Sequence, residues 1–404
     1  MAGRSGSGRA RLLVLGAGPA QLGLLEAAGA RDDVHVIAVD RDPDAVGFPL
    51  ADERAILSTE DEEAIDRLAR ARDVDGVVSP GADWPVGIAA RVAERLGLRH
   101  PIDGRTAAIV TSKQRQRERY AAAGVPHARA LDETADALPY PVVVKAADRQ
   151  GQRGLTLVRA RSELDVALAL AKREARGGGI LVEELVDGPE VTVNAVSLDG
   201  EYVPLLVTDR VTAAPPAFGV ALAHVWPSVA MGGEHAEVVG VARAAVEAVG
   251  IANGPSYAQL RLGPDGPVVM EVAARLGGGH DAELVQAATG VDLASLAVAF
   301  ALGEPVALGP VAQRLAWSDR IGGGCIRFLV PPEGTFREVR GVEAAAAVPG
   351  VGWVRVYRRE GRVFGPLLRG ADRAGAVLVT APTRAEALAA ADRAASLVEL
   401  VVDP

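Results

Sequence analysis

The sequence predicts a mixed α/β protein with more than one domain. The chain has 404 residues, of which 49% are hydrophobic, so it can bury several cores. Up to about Pro101, β-branched runs such as LLVLG and VHVIAVD alternate with amphipathic segments such as EEAIDRLARAR. This alternation is typical of a parallel sheet with helices on its faces. Later stretches, among them GGCIRFLV and AVLVTAPT, are strand-rich, and an alanine-rich helical segment follows them.

The composition argues against several classes of function. The formal net charge is −9, and the sequence lacks the basic stripe of a nucleic-acid-binding protein. The six histidines lack metal-ligand spacing, and the single cysteine, Cys325, excludes an internal disulfide and favours a reducing compartment. No run approaches the ~20 apolar residues of a membrane span, and the basic segment MAGRSGSGRAR is not followed by the apolar core of a signal peptide. We therefore expect a cytoplasmic protein without nucleic-acid or membrane partners.

The stretch LLVLGAGPAQLGLLEAAG is similar to the opening of a dinucleotide-binding domain. Gly16 and Gly18 match the first two glycines of the G-x-G-x-x-G pattern, but the third position is Gln21. Asp40 follows at nearly the ~20 residues expected for a ribose-binding acid. Because any parallel sheet needs tight strand-to-helix turns, the motif alone leaves both an NAD site and a purely structural turn open.

Two lysines and a glycine-bearing loop predict a triphosphate site. Lys113 lies in the helical segment TSKQRQRERYAAAG, and Lys145 ends the strand PVVVK just before the loop AADRQGQRG. An ammonium group is a point charge for phosphate oxygens, and Gly151 and Gly154 allow backbone N–H groups to approach them. The loop lacks the order G-x-x-x-x-G-K-[ST], so it is not a P-loop.

Two acidic segments follow. In LVEELVDGPE, a strand runs into acids that could meet an adenine edge and, at Glu190, ribose hydroxyls; taken alone, the segment also fits a strand end with solvated carboxylates. In VVMEVAARLGGGH, Glu271 occupies an inward position of an apolar strand, where an unpaired carboxylate is costly to bury. A metal ion or Arg275 is its expected partner.

In this order, the motifs resemble the ATP-grasp superfamily, and specifically its carboxylate–amine ligase branch, which includes L-amino-acid ligases. The glycine stretch looks like the pre-ATP-grasp domain of such enzymes, which explains its likeness to a dinucleotide site. The segment from CIRFLVPPEG to APTRAEALAAA resembles the branch's C-terminal domain. The resemblance implies a Rossmann-like pre-ATP-grasp domain, an ATP-grasp domain with a lid subdomain at about 125–183, and a C-terminal α+β domain. Their expected bounds are 1–104, 105–306 and 307–404.

The resemblance also implies roles for the residues that match the family's motifs. ATP and Mg²⁺, with Mn²⁺ as an alternative, are the implied cofactors. Lys145 and Arg275 would be catalytic, Arg275 stabilising the transferred phosphoryl group or the acyl-phosphate oxygens. The expected nucleotide-binding residues are Lys113, Lys145, Gln150, Gly151, Gly154, Glu183, Glu184, Leu185 and Glu190. Of these, Gln150 to Gly154 would close over the phosphates, Glu183 and the backbone of Glu184 and Leu185 would face adenine, and Glu190 would hold ribose.

Two positions depart from the family's pattern. The metal ligands would be Glu271 and Gln259, but a glutamate is usual in place of Gln259, and an asparagine is usual in place of Ala273. An amide oxygen can ligate Mg²⁺ without neutralising its charge, whereas alanine cannot ligate at all. The pattern E-x-A-x-R is similar to that of some carboxyamino-forming ligases. His280, Asp281 and Glu283 are near enough in sequence to compensate.

The implied reaction is an ATP-dependent, ADP-forming ligation of a carboxylate to an amine through an acyl phosphate, on amino acids or related small acids. The alternatives are a carboxylase acting through carboxyphosphate and an ATP-binding protein with weakened catalysis. Expected substrate contacts are His224, Arg275, Arg210 and Arg327, since arginine binds carboxylates in a bidentate manner. His224 lies in a segment similar to the branch's H-x-x-P motif, although a packed histidine fits as well. Homodimers are common among such ligases.

Overall fold

The computed structural model describes residues 8–134, 137–228, 235–316 and 322–403. The first seven residues of the basic N-terminal segment lie outside these ranges, so the absence of a signal peptide there stays a prediction. The described residues form four sheets, with helices packed on and between them.

The first sheet has four parallel strands in the order β3-β2-β1-β4. Leu12 pairs with Val36 on one side and with Gly76 on the other, and Leu12–Leu15 and Val36–Val39 of the two inner strands are fully buried. Burial on both faces explains the continuous apolar runs. The parallel N-terminal sheet predicted from the sequence is confirmed. Its strands are β1 Ala10–Leu15, β2 Val34–Asp40, β3 Glu53–Ile56 and β4 Gly76–Val78, and its helices are α1 Leu22–Gly29, α2 Glu62–Ala71 and α3 Asp83–Leu96.

The glycine motif forms a tight strand-to-helix turn. Gly16 has a φ of +114°, and a Cβ there would lie 2.9 Å from the Gln21 side chain, which fills the space inside the turn. Asp40 accepts a hydrogen bond from the Ala17 backbone N–H at 3.0 Å. Asp40 therefore stabilises the turn itself, in agreement with the structural interpretation of this motif.

A second, antiparallel sheet lies within the range predicted for the lid. Its strand order is β5-β8-β6-β7, and α6 packs against it around Val144, Leu164 and Val182. The strands are β5 Ala130–Leu131, β6 Val142–Ala146, β7 Thr156–Val158 and β8 Ile180–Glu184. Along the chain, α4 Gly104–Val110 and α5 Lys113–Ala123 precede these strands, and α6 Arg161–Glu174 lies between β7 and β8.

The largest sheet has eight strands in the order β13-β12-β9-β10-β11-β14-β18-β16, and neighbouring strands are antiparallel. Because β11 pairs with β14, this sheet is continuous across the expected boundary between residues 306 and 307. The domain bounds themselves stay predictions. The first strands are β9 Glu190–Leu198, β10 Glu201–Thr212, β11 Ala221–Trp226, β12 Gly254–Gly263 and β13 Gly266–Ala273.

The remaining elements belong to the C-terminal part and to the core between the sheets. A three-stranded sheet has the order β17-β15-β19. One core cluster contains Leu25 of α1, Phe300 of α9 and Leu378 of β18, so a single apolar core joins all three predicted parts. The strands are β14 Gly323–Leu329, β15 Gly334–Arg340, β16 Val351–Val356, β17 Val363–Phe364, β18 Gly375–Ala381 and β19 Glu399–Asp403. The helices are α7 His235–Val249, α8 Asp281–Thr289, α9 Leu293–Leu302, α10 Leu308–Ala316, α11 Val342–Ala346 and α12 Arg384–Leu397.

Within the described ranges, no single helix is both long enough and apolar enough to cross a membrane. The pair α8 and α9 meets the length and composition requirement only when taken together, and the two helices are bent by 116° at their junction.

Candidate active site

Two adjoining cavities lie between the lid sheet, the eight-stranded sheet and the N-terminal part. The smaller, which we call the nucleotide cavity, has about 770 Å³ of space, and the larger, the substrate cavity, has about 2140 Å³; both figures include space that is open to solvent. The nucleotide cavity is lined by β6, β8, β12 and β13. The substrate cavity reaches the strand ends at Gly16 and Asp40 and the C-terminal residues Tyr357 and Arg373. The wall common to both includes Lys113, Arg149, Gln150, Gly151, Gln152, Arg153, Gln259 and Glu271.

Lys145 and Glu183 form a buried ionic cluster with Arg117 in the nucleotide cavity. Glu183 is 2% exposed; it pairs with the Lys145 ammonium and accepts a hydrogen bond from Arg117 Nε at 2.5 Å. Burial would raise the pKa of Glu183, but the two cations outweigh it and hold that pKa below its usual range. Burial lowers the pKa of Lys145 to about 8, despite the opposing effect of Glu183. The carboxylate of Glu183 therefore positions Lys145, and its own oxygens already have partners.

Lys113 and Glu271 meet at the common wall. Lys113 is the first residue of α5, and its Nζ lies 3.1 Å from Glu271 Oε1 and donates to the Arg149 carbonyl at 2.6 Å. Burial alone would raise the pKa of Glu271, but Lys113 and Arg275 outweigh it and keep the pKa below its usual range. Glu271 is thus held as a carboxylate beside two cations.

Arg275 is fixed by Asp83 of the N-terminal part. Its Nε donates to Asp83 Oδ1 at 2.7 Å, its Nη1 donates to the Leu276 carbonyl at 2.8 Å, and its guanidinium lies 5.7 Å from the centre of the Tyr257 ring. Burial raises the pKa of Asp83 although Arg275 opposes this effect. The N-terminal part therefore contributes a carboxylate to the charged lining of the substrate cavity, next to the common wall.

Gln259 and Glu190 are hydrogen-bonded to each other on neighbouring strands. Gln259 Nε2 donates to Glu190 Oε1 at 2.5 Å, and Glu190 also pairs with Arg210 and, at 3.5 Å, with Arg261. Because the amide nitrogen points to Glu190, the other end of the amide group is its acceptor oxygen. Gln259 pairs in register with Glu271 on β13. The two expected metal ligands are thus neighbours on adjacent strands.

The loop after Lys145 links the lid to the N-terminal part. Gln150 accepts a hydrogen bond from the Asp83 backbone N–H. Gly151 and Gly154 have φ values of +66° and +67°, a conformation that glycine adopts without strain. The expected adenine segment lines the nucleotide cavity through Glu184 and Leu185, and the Glu184 carboxylate accepts the Arg129 N–H at 3.0 Å.

The structure brings three of the four expected substrate residues to the substrate cavity: Arg275, Arg210 and His224. His224 is buried, and burial lowers its pKa to about 4; its Nδ1 lies 3.3 Å from Asp281 Oδ1. Arg327 does not join them, because its Nε pairs with Asp392 of α12 at 3.1 Å. Side chains alternate along a strand, so Phe328 faces the cavity and Arg327 faces the helix. The expected role of Arg327 is therefore corrected.

The contacts of His280, Asp281 and Glu283 do not support the expectation that these residues compensate for the missing charge at Gln259. His280 Nδ1 lies 2.8 Å from Glu283 Oε1, and Arg355 donates to the same oxygen at 3.0 Å. Asp281 accepts the Gly279 N–H at 3.2 Å, besides lying near His224. These side chains pair with one another and with their neighbours, and none of the ion pairs found for them involves Glu271.

The sequence reasoning missed Asp83, Arg117 and Arg373. Asp83 follows the carboxyl end of the parallel strand β4, and that position in a parallel sheet could have marked it. Arg117 lies one turn after Lys113 on α5, on the same helix face, which could have drawn attention to it. Nothing in the local sequence distinguishes Arg373.

The donors at the common wall suit a divalent cation bound together with a nucleotide. Among the described residues, no group of three or more His, Cys, Asp or Glu side chains could hold a metal ion. Glu271 offers one carboxylate and Gln259 one amide oxygen. Mg²⁺ typically uses one or two protein ligands of this kind, with phosphate oxygens and water completing its shell. The residues present therefore fit Mg²⁺ only when phosphates share in binding it.

Two family models match the chain. The ATP-binding domain of the carbamoyl-phosphate synthase L chain matches residues 109–308, and the L-amino acid ligase C-terminal domain 2 matches residues 327–403. Together they cover more than half of the chain, and the first includes the whole charged cluster except Asp83. The chain belongs to the ATP-grasp ligases. The predicted resemblance, the fold class and the prediction of an ADP-forming C–N ligase are confirmed at this level.

Individual relatives agree with this ATP-grasp assignment. An uncharacterized protein, y4rH, of Sinorhizobium fredii is 29% identical over 92% of this chain and 78% of its own length. Carnosine synthase 1 of Gallus gallus is 29% identical over 43% of this chain, which spans only 20% of that enzyme. The crystal structure of an L-amino acid ligase from Bacillus licheniformis covers 99% of this chain and all of its own, with a TM-score of 0.84 and 23% identity. That last likeness shows the fold.

Proposed function

We propose that this ATP-grasp ligase joins a carboxylate to an amine through an acyl phosphate, acting on amino acids or related small acids. The observation that carries the proposal is a charged cluster in which Lys113 and Glu271, at the wall common to the two cavities, lie next to Arg275 and Asp83 of the substrate cavity. A nucleotide in the smaller cavity would present its γ-phosphate there to a substrate in the larger one.

The nucleotide cavity has the groups that ATP needs. Its lining combines the cations Lys113 and Lys145, the carboxylate Glu190 and the strand segment of Glu184 and Leu185. The backbone of Glu184 and Leu185 would face adenine, Glu190 would accept ribose hydroxyls, and Lys145 and Lys113 would contact phosphates. Gly151 and Gly154 would let the loop close over them and exclude water.

Glu271 and the Gln259 amide oxygen would hold Mg²⁺ together with the triphosphate. The bound ion would supply charge neutralisation at the phosphate oxygens. Ala273 is buried and has no ligating atom, so the protein itself provides a single formal negative charge from these strands. Lys113 lies beside Glu271 and adds a positive charge where the γ-phosphate would lie.

The proposed chemistry has two displacements. An oxygen of the substrate carboxylate attacks the γ-phosphorus, and the bond to the β,γ-bridging oxygen breaks, which releases ADP. The amine nitrogen then attacks the acyl carbon, the bond to the phosphate oxygen breaks, and the nitrogen loses a proton as phosphate leaves. Since the first step joins two anions, Lys113 and Arg275 act mainly by charge and position. No protein nucleophile is needed, and burial raises the pKa of Cys325 to about 12.

His224 would face the amine. Because its pKa is lowered to about 4, the imidazole is neutral near pH 7. The Nδ1 atom lies 3.3 Å from Asp281 Oδ1 without forming a hydrogen bond, and an imidazole protonated at Nδ1 would leave Nε2 free to accept a hydrogen bond from the amine. A Cβ at position 279 would lie 2.7 Å from that Nε2, so Gly279 keeps this side of the ring open.

The test is release of ADP with ATP and Mg²⁺, then Mn²⁺, over amino acids singly and in pairs, with bicarbonate as a separate arm. We expect turnover only with a defined carboxylate–amine pair, and we expect Glu271→Gln to abolish it. Glu118→Gln on the exposed face of α5 is the matched control, with unchanged turnover. ADP release that needs bicarbonate alone would instead establish the carboxylase. Nucleotide binding without ADP release for any combination would indicate the weakened ATP-binding protein.

A further inference from the structure

The C-terminal end of the substrate cavity holds an arginine without a carboxylate partner. Arg373 lines this cavity, and its guanidinium carbon lies 3.6 Å from the centre of the Phe328 ring. Its Nε donates to the Gly370 carbonyl at 2.8 Å and its Nη1 to the Ala221 carbonyl at 3.2 Å. The adjacent acid, Asp372, is bonded to Arg369. In the described parts of the chain, no carboxylate forms an ion pair with Arg373.

The surroundings of Arg373 increase its need for an anion. The pKa of Arg373 is lowered to about 10, mainly by burial; Tyr357 and Asp281 oppose this effect only in part, and Arg210 adds to it. Arg358, also on the cavity wall, directs its Nη2 to the carbonyls of Ala371 and Arg373 and adds a second positive charge. Arg373 is half-buried, and its hydrogen-bond partners are neutral carbonyl groups, so together with Arg358 it makes this end of the cavity complementary to a negatively charged group.

The free edge of the guanidinium selects the kind of anion. Arginine has five N–H donors, and the two backbone carbonyls engage Nε and one N–H of Nη1. Three N–H groups of the planar guanidinium remain, one on Nη1 and two on Nη2, and a pair of N–H donors in one plane matches the two oxygens of a carboxylate. Because Arg358 directs its Nη2 to carbonyls, a single planar donor edge remains, and this suits a monoanion better than a phosphate dianion.

The position of Arg373 separates this anion from the reacting group. Arg373 does not line the nucleotide cavity, whereas Lys113 and Glu271 line both cavities. The carboxylate that is phosphorylated must reach the common wall, and the amine substrate lies beyond it. We infer that Arg373 binds a carboxylate of the amine substrate that is not consumed in the reaction, so that the amine substrate is an amino acid or a peptide with a free carboxyl group. This inference rests on the proposed function.

The experiment compares amine substrates that differ only in this group. Each amino acid that acts as the amine in the pair screen is supplied as the free acid and as its primary amide, with O-phosphoethanolamine as a phosphate-bearing arm. For the wild type we expect a KM for the free acid about 10- to 100-fold below that for the amide, as for a hydrogen bond to a charged group. In Arg373→Gln, the KM for the free acid should rise to the level of the amide, while the KM for the amide and both kcat values stay nearly unchanged.

Two further variants keep the result interpretable. Arg373→Lys keeps the charge but loses the planar fork, so it should retain part of the discrimination even if Arg373→Gln folds poorly. Arg362→Gln, an exposed arginine of the same region, should behave as the wild type. Equal effects of Arg373→Gln on acid and amide, no preference for the acid in the wild type, or better binding of O-phosphoethanolamine would each overturn the inference.

Failure of the proposed function would look different, because no pair would then release ADP from the wild type. In that case the inference is tested by binding alone, as the shift in melting temperature that free amino acids and their amides produce in the ADP-bound protein. A shift with the acids that is absent in Arg373→Gln would support it, and equal shifts with acids and amides would overturn it.

Discussion

Lys145 should make nucleotide binding depend on pH near 8. Its side chain is 8% exposed, and burial lowers its pKa from an ordinary 10.5 to about 8 in the nucleotide-free protein. Bound phosphates favour the protonated form and raise this pKa again. The affinity for ADP is therefore highest below pH 8, where Lys145 is protonated, and it falls as the pH rises through 8. Between pH 7 and pH 9 the Kd for ADP should rise about tenfold.

Isothermal titration calorimetry with ADP at pH 7, 8 and 9, in two buffers of different ionisation enthalpy, measures both the Kd and the protons taken up. About half a proton should be taken up near pH 8, if one group with this pKa is responsible. Lys145→Arg is the control, because a guanidinium stays charged throughout this range and should give a flat profile without proton uptake. A flat profile in the wild type, or an unchanged slope in Lys145→Arg, would refute the assignment to Lys145.

Three further substitutions test the packing around the site. Asp83→Asn leaves the buried Arg275 without its carboxylate and should lower the free energy of unfolding by about 3 to 5 kcal/mol in urea, together with turnover; unchanged stability would contradict the ion pair's importance. Gly188→Ala forces a side chain at a φ of +141° against the Leu262 carbonyl, so melting temperature and ATP affinity should both fall. Leu13→Ala opens a cavity in the fully buried N-terminal sheet and should cost about 2 to 5 kcal/mol without changing the KM for ATP.

The sequence predicted the features that depend on neighbouring residues. The alternation of apolar runs and amphipathic segments located the parallel sheet, since burial on both faces leaves a local pattern. Lys113, Lys145, Glu190 and Glu271 stand in motifs whose order is specific, and all four line the nucleotide cavity. Their individual roles stay predictions, because a position on a cavity wall does not establish what a residue binds.

Contacts between distant segments could not be predicted in this way. Asp83 and Arg275 are separated by 192 positions, and their pairing depends on how the N-terminal part packs against β13. Arg327 shows a different limit. The run GGCIRFLV is apolar on both sides of the arginine, so its pattern does not show which face of the strand each side chain occupies. A shift of one residue along the strand would exchange the face towards the cavity for the face towards α12. The continuity of the eight-stranded sheet depends on the pairing of β11 with β14, and the sequence of neither strand alone predicts this pairing.

The departure at Gln259 has a local explanation in the charges around it. Glu190 already provides a buried carboxylate 2.5 Å from the Gln259 amide nitrogen, and Arg210 and Arg261 pair with that carboxylate. A glutamate at position 259 would bring a second carboxylate against the first, and like charges at such a distance are costly to bury. The glutamine instead donates to Glu190 and keeps an acceptor oxygen, on the residue that pairs with Glu271 of the adjacent strand. The missing negative charge is therefore compatible with a working site, in which phosphate oxygens supply the charge that the protein does not.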